Sequence, residues 1–151
     1  YGINLGVGYK GFSITALFQG AAKVSRQYSD IVMNPFTDNG TIFEHQLDYW
    51  TPEHQHATFP RLTTLDNASL NNRQISTLNV KDADFLRLKT LEVAYDFPTK
   101  MIQKIHLKGL RLFLSGTNLI TWTKYKWVDP EAPSLAAALT RNMSIGCSLK
   151  F

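Results

Sequence analysis

Apolar and polar residues alternate with a period of two over much of this chain. Met143, Ile145, Cys147, Leu149 and Phe151 fall on one face of an extended segment, and Asn142, Ser144, Gly146, Ser148 and Lys150 on the other. Successive side chains of a strand point to opposite faces, so the segment reads as a strand with one apolar side. Near the start, Ile3, Leu5, Val7 and Tyr9 alternate with Asn4, Gly6, Gly8 and Lys10. The pattern resumes with Phe12, Ile14, Ala16 and Phe18 against Ser13, Thr15, Leu17 and Gln19. Lys10-Gly11 between them suits a two-residue hairpin loop, with the glycine supplying positive φ and Tyr9 facing Phe12. Further on, the pattern predicts one long strand from about Leu78 to Phe97, with Leu91, Val93, Tyr95 and Phe97 opposing Thr90, Glu92, Ala94 and Asp96. Pro98 ends it, because proline cannot donate to a ladder. A helical turn is expected within residues 98–109, where Met101, Ile102 and Ile105 cluster and Gly109 stops it. Leu110, Leu112, Leu114 and Gly116 then oppose Arg111, Phe113, Ser115 and Thr117.

The intervals between strands are uneven. Residues 21–77 show no sustained period and hold Asn34-Pro35, Asp38-Asn39-Gly40, Thr51-Pro52, Phe59-Pro60 and Asp66-Asn67, all breaker signals. A structureless stretch of that length argues against a compact soluble domain. Lys124 to Thr140 is a second irregular stretch. Short and long connections alternate, as they must when strands shuttle across a membrane and carry short periplasmic turns and long extracellular loops. Tyr9, Phe12, Tyr95, Phe97 and Phe151 all lie beside short connections or the last residue, where they would form one interfacial girdle. The expected fold is therefore all-β: about five antiparallel strands of a transmembrane β-barrel with long extracellular loops. The competing reading is a soluble all-β carbohydrate-binding module of the sandwich type, using the same aromatics on an exposed sheet.

Composition fits either reading, since 44% apolar and 19% charged residues describe a globular domain and a barrel with a polar inside equally well. No run of about eighteen apolar residues exists, which excludes a membrane-spanning helix. The net charge of +4 is scattered along the chain, so no nucleic-acid footprint is read. Cys147 is the single cysteine, which rules out an internal disulfide and reads as a small hydrophobe on an apolar strand face. Tyr1-Gly2-Ile3-Asn4 is already strand-like rather than a signal peptide. The expectation is a soluble chain or the tail of something larger.

Little in the sequence points to chemistry. His54-Gln55-His56 with His45 and Glu53 has metal-ligand residue types but sits in a turn-rich loop with no rigid element to fix geometry, so no metal is expected. Glu92 and Asp96 form an acidic pair without a positioned nucleophile or base, and are read as lumen-facing charges bonded to Arg and Lys of neighbouring strands or to a plug. No catalytic triad or phosphate loop stands out, so neither catalytic residues nor a cofactor is expected and the chain is read as a non-enzyme. Tyr49, Trp50, Trp122, Tyr125 and Trp127 are aromatics able to stack on a sugar or meet a partner, with loop packing and a second girdle as the plainer readings. Trp50, Tyr125 and Trp127 are the leading candidates for partner or substrate contacts.

Five loop and strand motifs stand in a recognisable order: Trp50-Thr51-Pro52-Glu53, Thr58-Phe59-Pro60-Arg61, Asp84-Phe85-Leu86-Arg87-Leu88-Lys89, Asn118-Leu119-Ile120-Thr121, and Lys124-Tyr125 with Asp129-Pro130-Glu131. Together with the Tyr9-Lys10-Gly11-Phe12 turn and the final Phe151, the series resembles the C-terminal region of the SusC/RagA-type TonB-dependent outer-membrane transporters of Bacteroidetes. It departs from them at Trp127, where a small residue is usual, and at Leu135 to Thr140, which lacks the Tyr-Pro approach to the last strand. The resemblance implies a barrel of about 22 strands with an N-terminal plug, importing glycan or peptide fragments under TonB drive with a SusD-like surface lipoprotein as lid. Residues 1–151 would be the C-terminal barrel segment, set in outer-membrane lipid, with the plug, the TonB-contacting part and earlier strands upstream.

Overall fold

The computed structural model describes residues 1–63, 72, 74–103, 106–132 and 139–151. Five strands form one antiparallel sheet in the order β1 (Gly2–Tyr9), β2 (Phe12–Ala21), β5 (Phe85–Asp96), β6 (Gly109–Thr123) and β7 (Asn142–Lys150). β3 (Ser25–Gln27) and β4 (Val80–Asp82) pair separately as a small two-stranded sheet. The β1–β2 hairpin turns on Lys10 and Gly11, with φ of 48° and 88°, and pairs Tyr9 with Phe12. Both turn residues need positive φ in a type I′ turn, and a Cβ on Gly11 would lie 2.7 Å from the Asp96 carbonyl oxygen.

The register segregates the two faces as the alternation requires. One row across the sheet reads Val7, Ile14, Val93, Leu114, Ile145, and its neighbour reads Gly6, Thr15, Glu92, Ser115, Ser144. Leu5, Leu112 and Leu149 share the first face, and Asn4, Arg111 and Ser148 the second. The apolar face is uncovered among the described residues: Ile145 is 86% exposed, and Val7 and Met143 are each 71% exposed. A sandwich would lay a second sheet over this face, so the sandwich reading is set aside. Its free Cys147 is exposed on the same side.

At one end the aromatics gather. Phe12 and Tyr95 lie with ring centroids 4.4 Å apart, and Tyr95 meets Phe97 edge-on at 4.8 Å. Trp122 sits at the opposite end on the apolar face, in the row of Gly20 and Leu86. It therefore stands on the sheet rather than in the loop packing.

Three expectations need correction. The strand expected from Leu78 to Phe97 is two strands in different sheets. Asp84 bends the chain between them: its carboxylate accepts the Val24 amide at 2.8 Å, and its own amide donates to Asp82 at 3.1 Å. Such side-chain to backbone bonds stabilise turns in competition with a ladder. The longest strand is instead β6, with 15 residues.

Nor is the region 21–77 structureless. It carries β3, a helical turn α1 (Asp30–Met33) and two 3-10 turns, Thr37–Asn39 and Glu44–Leu47. With β4 and residues 124–132 its described residues fold into a lobe at the Trp122 end. Finally, the turn after Pro98 is present as α2 (Thr99–Ile102), but only Ile102 is buried, while Met101 is 62% exposed. Ile105, like Asp66-Asn67 and most of Leu135 to Thr140, lies outside the described residues.

A bulge divides the long strands. Leu17 faces Thr90 but Phe18 faces Leu88, so Lys89 is an extra residue opposite β2. Across β6 the register likewise slips between Thr117 and Ile120, where Asn118 has φ of 54°. A bulge reverses the alternation beyond it. Arg87, which strict alternation from Leu91 would turn to the apolar face, therefore joins Gln19 and Thr121 on the polar face.

Candidate functional site

The lobe has its own apolar core. Tyr28, Val32, Met33, Phe59, Ala83 and Tyr125 are buried together, with Val24, Tyr49, Leu78 and Val128 packed against them. Tyr28 and Tyr125 stack at 4.3 Å with planes 14° apart. The Tyr28 hydroxyl donates to the Lys126 carbonyl at 2.7 Å, and that of Tyr125 to Gln27 at 3.4 Å. Burial, with Tyr125 beside it, pushes Tyr28 up to about 12, and burial also raises Tyr125. Both rings are thus neutral packing elements.

Gln46, fully buried, ties two turns of the lobe together. Its amide nitrogen donates to the Val32 carbonyl at 3.0 Å, and its oxygen accepts the Phe43 amide at 2.9 Å. A buried amide with its donors and acceptors paired specifies one packing.

Residues 48–59 form a closed loop. The Trp50 amide donates to the Phe59 carbonyl at 2.9 Å and the Phe59 amide to the Asp48 carbonyl at 3.0 Å. The Asp48 carboxylate accepts the Thr58 amide at 3.1 Å and His54 at 2.8 Å; hydrogen bonding from the Thr58 side chain, then from His54 and the Thr58 amide, holds it down at about 2.

The histidines considered for a metal are not gathered. His54 is spent on Asp48. His45 Nε2 lies 2.9 Å from the Val32 carbonyl; a carbonyl oxygen only accepts, so that nitrogen carries its proton and cannot ligate. Among the described residues no group of three or more His, Cys, Asp or Glu is placed to hold a metal ion.

Of the three candidate contact residues, Tyr125 is buried at 4% exposure, so its expected role as an exposed loop aromatic is corrected. It is part of the lobe core because the chain after β6 turns back across β3. Trp50 and Trp127 are each 38% exposed, half in and half out. Trp127 stacks on His45 at 4.8 Å and 19°, with Phe59 and Tyr28 tilted against it at 5.1 and 5.2 Å. Where the family resemblance has a small residue, this chain therefore places an aromatic on the lobe core. Trp127 also has φ of 66°, a conformation costly for a bulky residue and held only when its surroundings over-determine it.

The strap joining lobe to sheet escaped sequence reasoning. Arg87, 1% exposed, donates to Asp129 at 2.6 Å, and its Nε lies 2.8 Å from a Glu131 carboxylate oxygen. Lys89 approaches Glu131 at 3.6 Å, and Gln19 donates to it at 3.2 Å. Arg26 of β3 donates to the carbonyls of Pro130 and Ala132. Burial works to raise Asp129, but Arg87 and the amides of Glu131 and Ala132 outweigh it and hold the carboxyl below its ordinary value. Asp129-Pro130-Glu131 was visible as a motif; its partner Arg87 was visible only once the bulge turned it inward. Lower on the polar face, Arg111 bridges Glu92 and Asp96 at 2.9 Å each, so the acidic pair is held by a cation of the neighbouring strand.

The geometry is that of a wall segment with a folded rim, and it matches known proteins. No family model matches the chain. It is 27% identical over 148 residues to TonB-dependent receptor P26 of Formosa agariphila, covering 97% of this chain and 14% of that protein. It is 30% identical over 134 residues to TonB-dependent receptor P3 of the same organism, covering 87% and 12%. Among solved structures it matches the RagAB peptide importer in its closed-closed state with a TM-score of 0.76 and 26% identity, over 99% of this chain and 17% of that one. The chain thus spans about one-seventh or less of the curated relatives it matches. On these similarities of sequence and fold, the chain belongs to the SusC/RagA-type TonB-dependent transporters, as a segment of their β-barrel.

Proposed function

We propose that this chain is the C-terminal wall segment and part of the mouth of an outer-membrane transporter that imports large nutrients, glycan or peptide fragments. TonB supplies the drive through a plug and contact segment upstream, and a SusD-like surface lipoprotein closes over the mouth. The chain contributes no enzymatic step in this reading. The observation that carries it is the lobe: a folded body fixed by Arg87 to the rim of a sheet whose apolar face has no cover among the described residues. The apolar face goes to lipid, the polar face to the lumen, and the lobe to the extracellular side from which cargo arrives. Its half-exposed Trp50 and Trp127 are the leading contacts for the lipoprotein or the cargo. Aromatics of this kind dominate interface energetics when central, at about 2 kcal/mol or more each.

The test is a Trp50→Ala, Trp127→Ala double variant of the full-length transporter that still reaches the outer membrane. Reduced co-purification of the lipoprotein and slower growth on the cognate nutrient are expected. Normal capture together with normal growth refutes the role of the lobe.

A further inference from the structure

Beside Trp127 the lobe opens into a cleft of about 300 Å³, lined by Tyr28, Thr58, Lys81, Lys124, Lys126 and Trp127. The volume is at the lower end of the range for small-ligand sites. The cleft is basic. Asp82 also lines it, but its carboxylate already accepts the Asp84 amide. Lys81 uses one donor on the Thr77 carbonyl at 3.0 Å, which leaves two of its three N–H groups free to bind. Lys124 and Lys126 stand on either side of Tyr125 in the segment leading to Trp127.

The aromatic wall is pre-set. His45 backs the indole of Trp127, Phe59 and Tyr28 brace it, and its backbone is held at positive φ. The Tyr28 hydroxyl is spent on the Lys126 carbonyl and its ring is buried against Tyr125 and Trp127, so the aromatic surface left for a ligand is that of Trp127. A rigid aromatic face suits the C–H face of a pyranose, since the π cloud is negative and the ring hydrogens carry partial positive charge. Ammonium groups around it suit carboxylate or sulfate. A neutral sugar offers such lysines only hydroxyl acceptors, without the opposite charge that makes the bond about twice as strong.

We propose that this cleft is a cargo subsite for an anionic saccharide, a pyranose bearing carboxylate or sulfate. The ring packs on Trp127, and its charge pairs with Lys124 and Lys126. The proposal rests on the reading that the lobe faces incoming cargo.

The test titrates the purified full-length transporter with four probes: a galacturonate tetramer, a sulfated galactose tetramer, a neutral galactose tetramer and tetraglutamate. At least one anionic tetramer should bind, weaken with added salt, and lose about tenfold in affinity for each of Lys124→Ala and Lys126→Ala. Trp127→Ala should weaken it comparably, and Lys108→Ala at the far end of the barrel should leave it unchanged. Equal binding of the neutral tetramer, or of tetraglutamate, overturns the proposal. Lipoprotein co-purification from the same membranes separates the two failures. With capture intact, no binding by either anionic tetramer overturns the cleft assignment alone; absent capture by the wild type overturns the underlying reading as well.

Discussion

The sheet and the lobe of this chain solve opposite problems. In the sheet, backbone ladders pair every neighbouring strand, yet the large apolar side chains of one face stand exposed in their rows. In the lobe, regular structure is scarce, yet all six members of the buried core cluster are there. Water explains the difference. The lobe must bury its apolar atoms within itself, whereas a barrel wall leaves that burial to lipid and must instead satisfy all its backbone groups internally. A region rich in turns can thus be the better packed of the two.

The sharpest way to break this contrast is at the strap. Replacing Arg87 by Ala leaves the Asp129 and Glu131 carboxylates without their buried partner, which should cost about 3–5 kcal/mol. Limited proteolysis should then cut residues 124–132 while the strands survive; uniform loss of the whole barrel would mean that lobe and wall are one unit. Tyr125→Ala should act similarly on the lobe alone, by about 3–5 kcal/mol, through loss of its stacked partner and the cavity left behind.

In the wall, an Arg at Ile145 should cost about 2–4 kcal/mol in a folding titration of the full-length barrel, and one at the adjacent Ser144 much less. Equal costs would contradict the assignment of the two faces.

A smaller effect separates the regions by pH. Asp48 is held at about 2 and Asp129 also below its ordinary value, each lowered in the folded lobe relative to the unfolded chain. Their contribution is fully present above the ordinary carboxylate range and is lost as pH falls through the folded values. Tryptophan fluorescence of the lobe should therefore change between about pH 4 and pH 2 before the strand signal does. A strand signal that moves first would reverse the order of stability.

The two regions were also unequally legible. The faces of β1, β2, β7 and the second half of β5 followed from period-two alternation, because a strand's geometry ties side-chain direction to residue parity. The hairpin at Lys10-Gly11 followed from turn chemistry for the same local reason. Parity failed at Lys89. One extra residue turned Arg87 from the apolar face to the polar face, and alternation carries no sign of where such a residue will fall. Alternation equally gave no warning that Asp84 would end one strand and begin another, since the bend depends on the distant amide of Val24.

In the lobe, the aromatics were visible but their roles were not. Tyr125 and Trp127 look alike in sequence. Only the contacts of Tyr28, His45 and Phe59 decide that the first is core and the second a half-exposed wall of a basic cleft. What the sequence determined by itself were the features that depend on neighbours one, two or three residues away. The tertiary structure decided those requiring residues some forty to a hundred positions apart, such as Arg87 with Asp129 or Tyr28 with Tyr125, to meet.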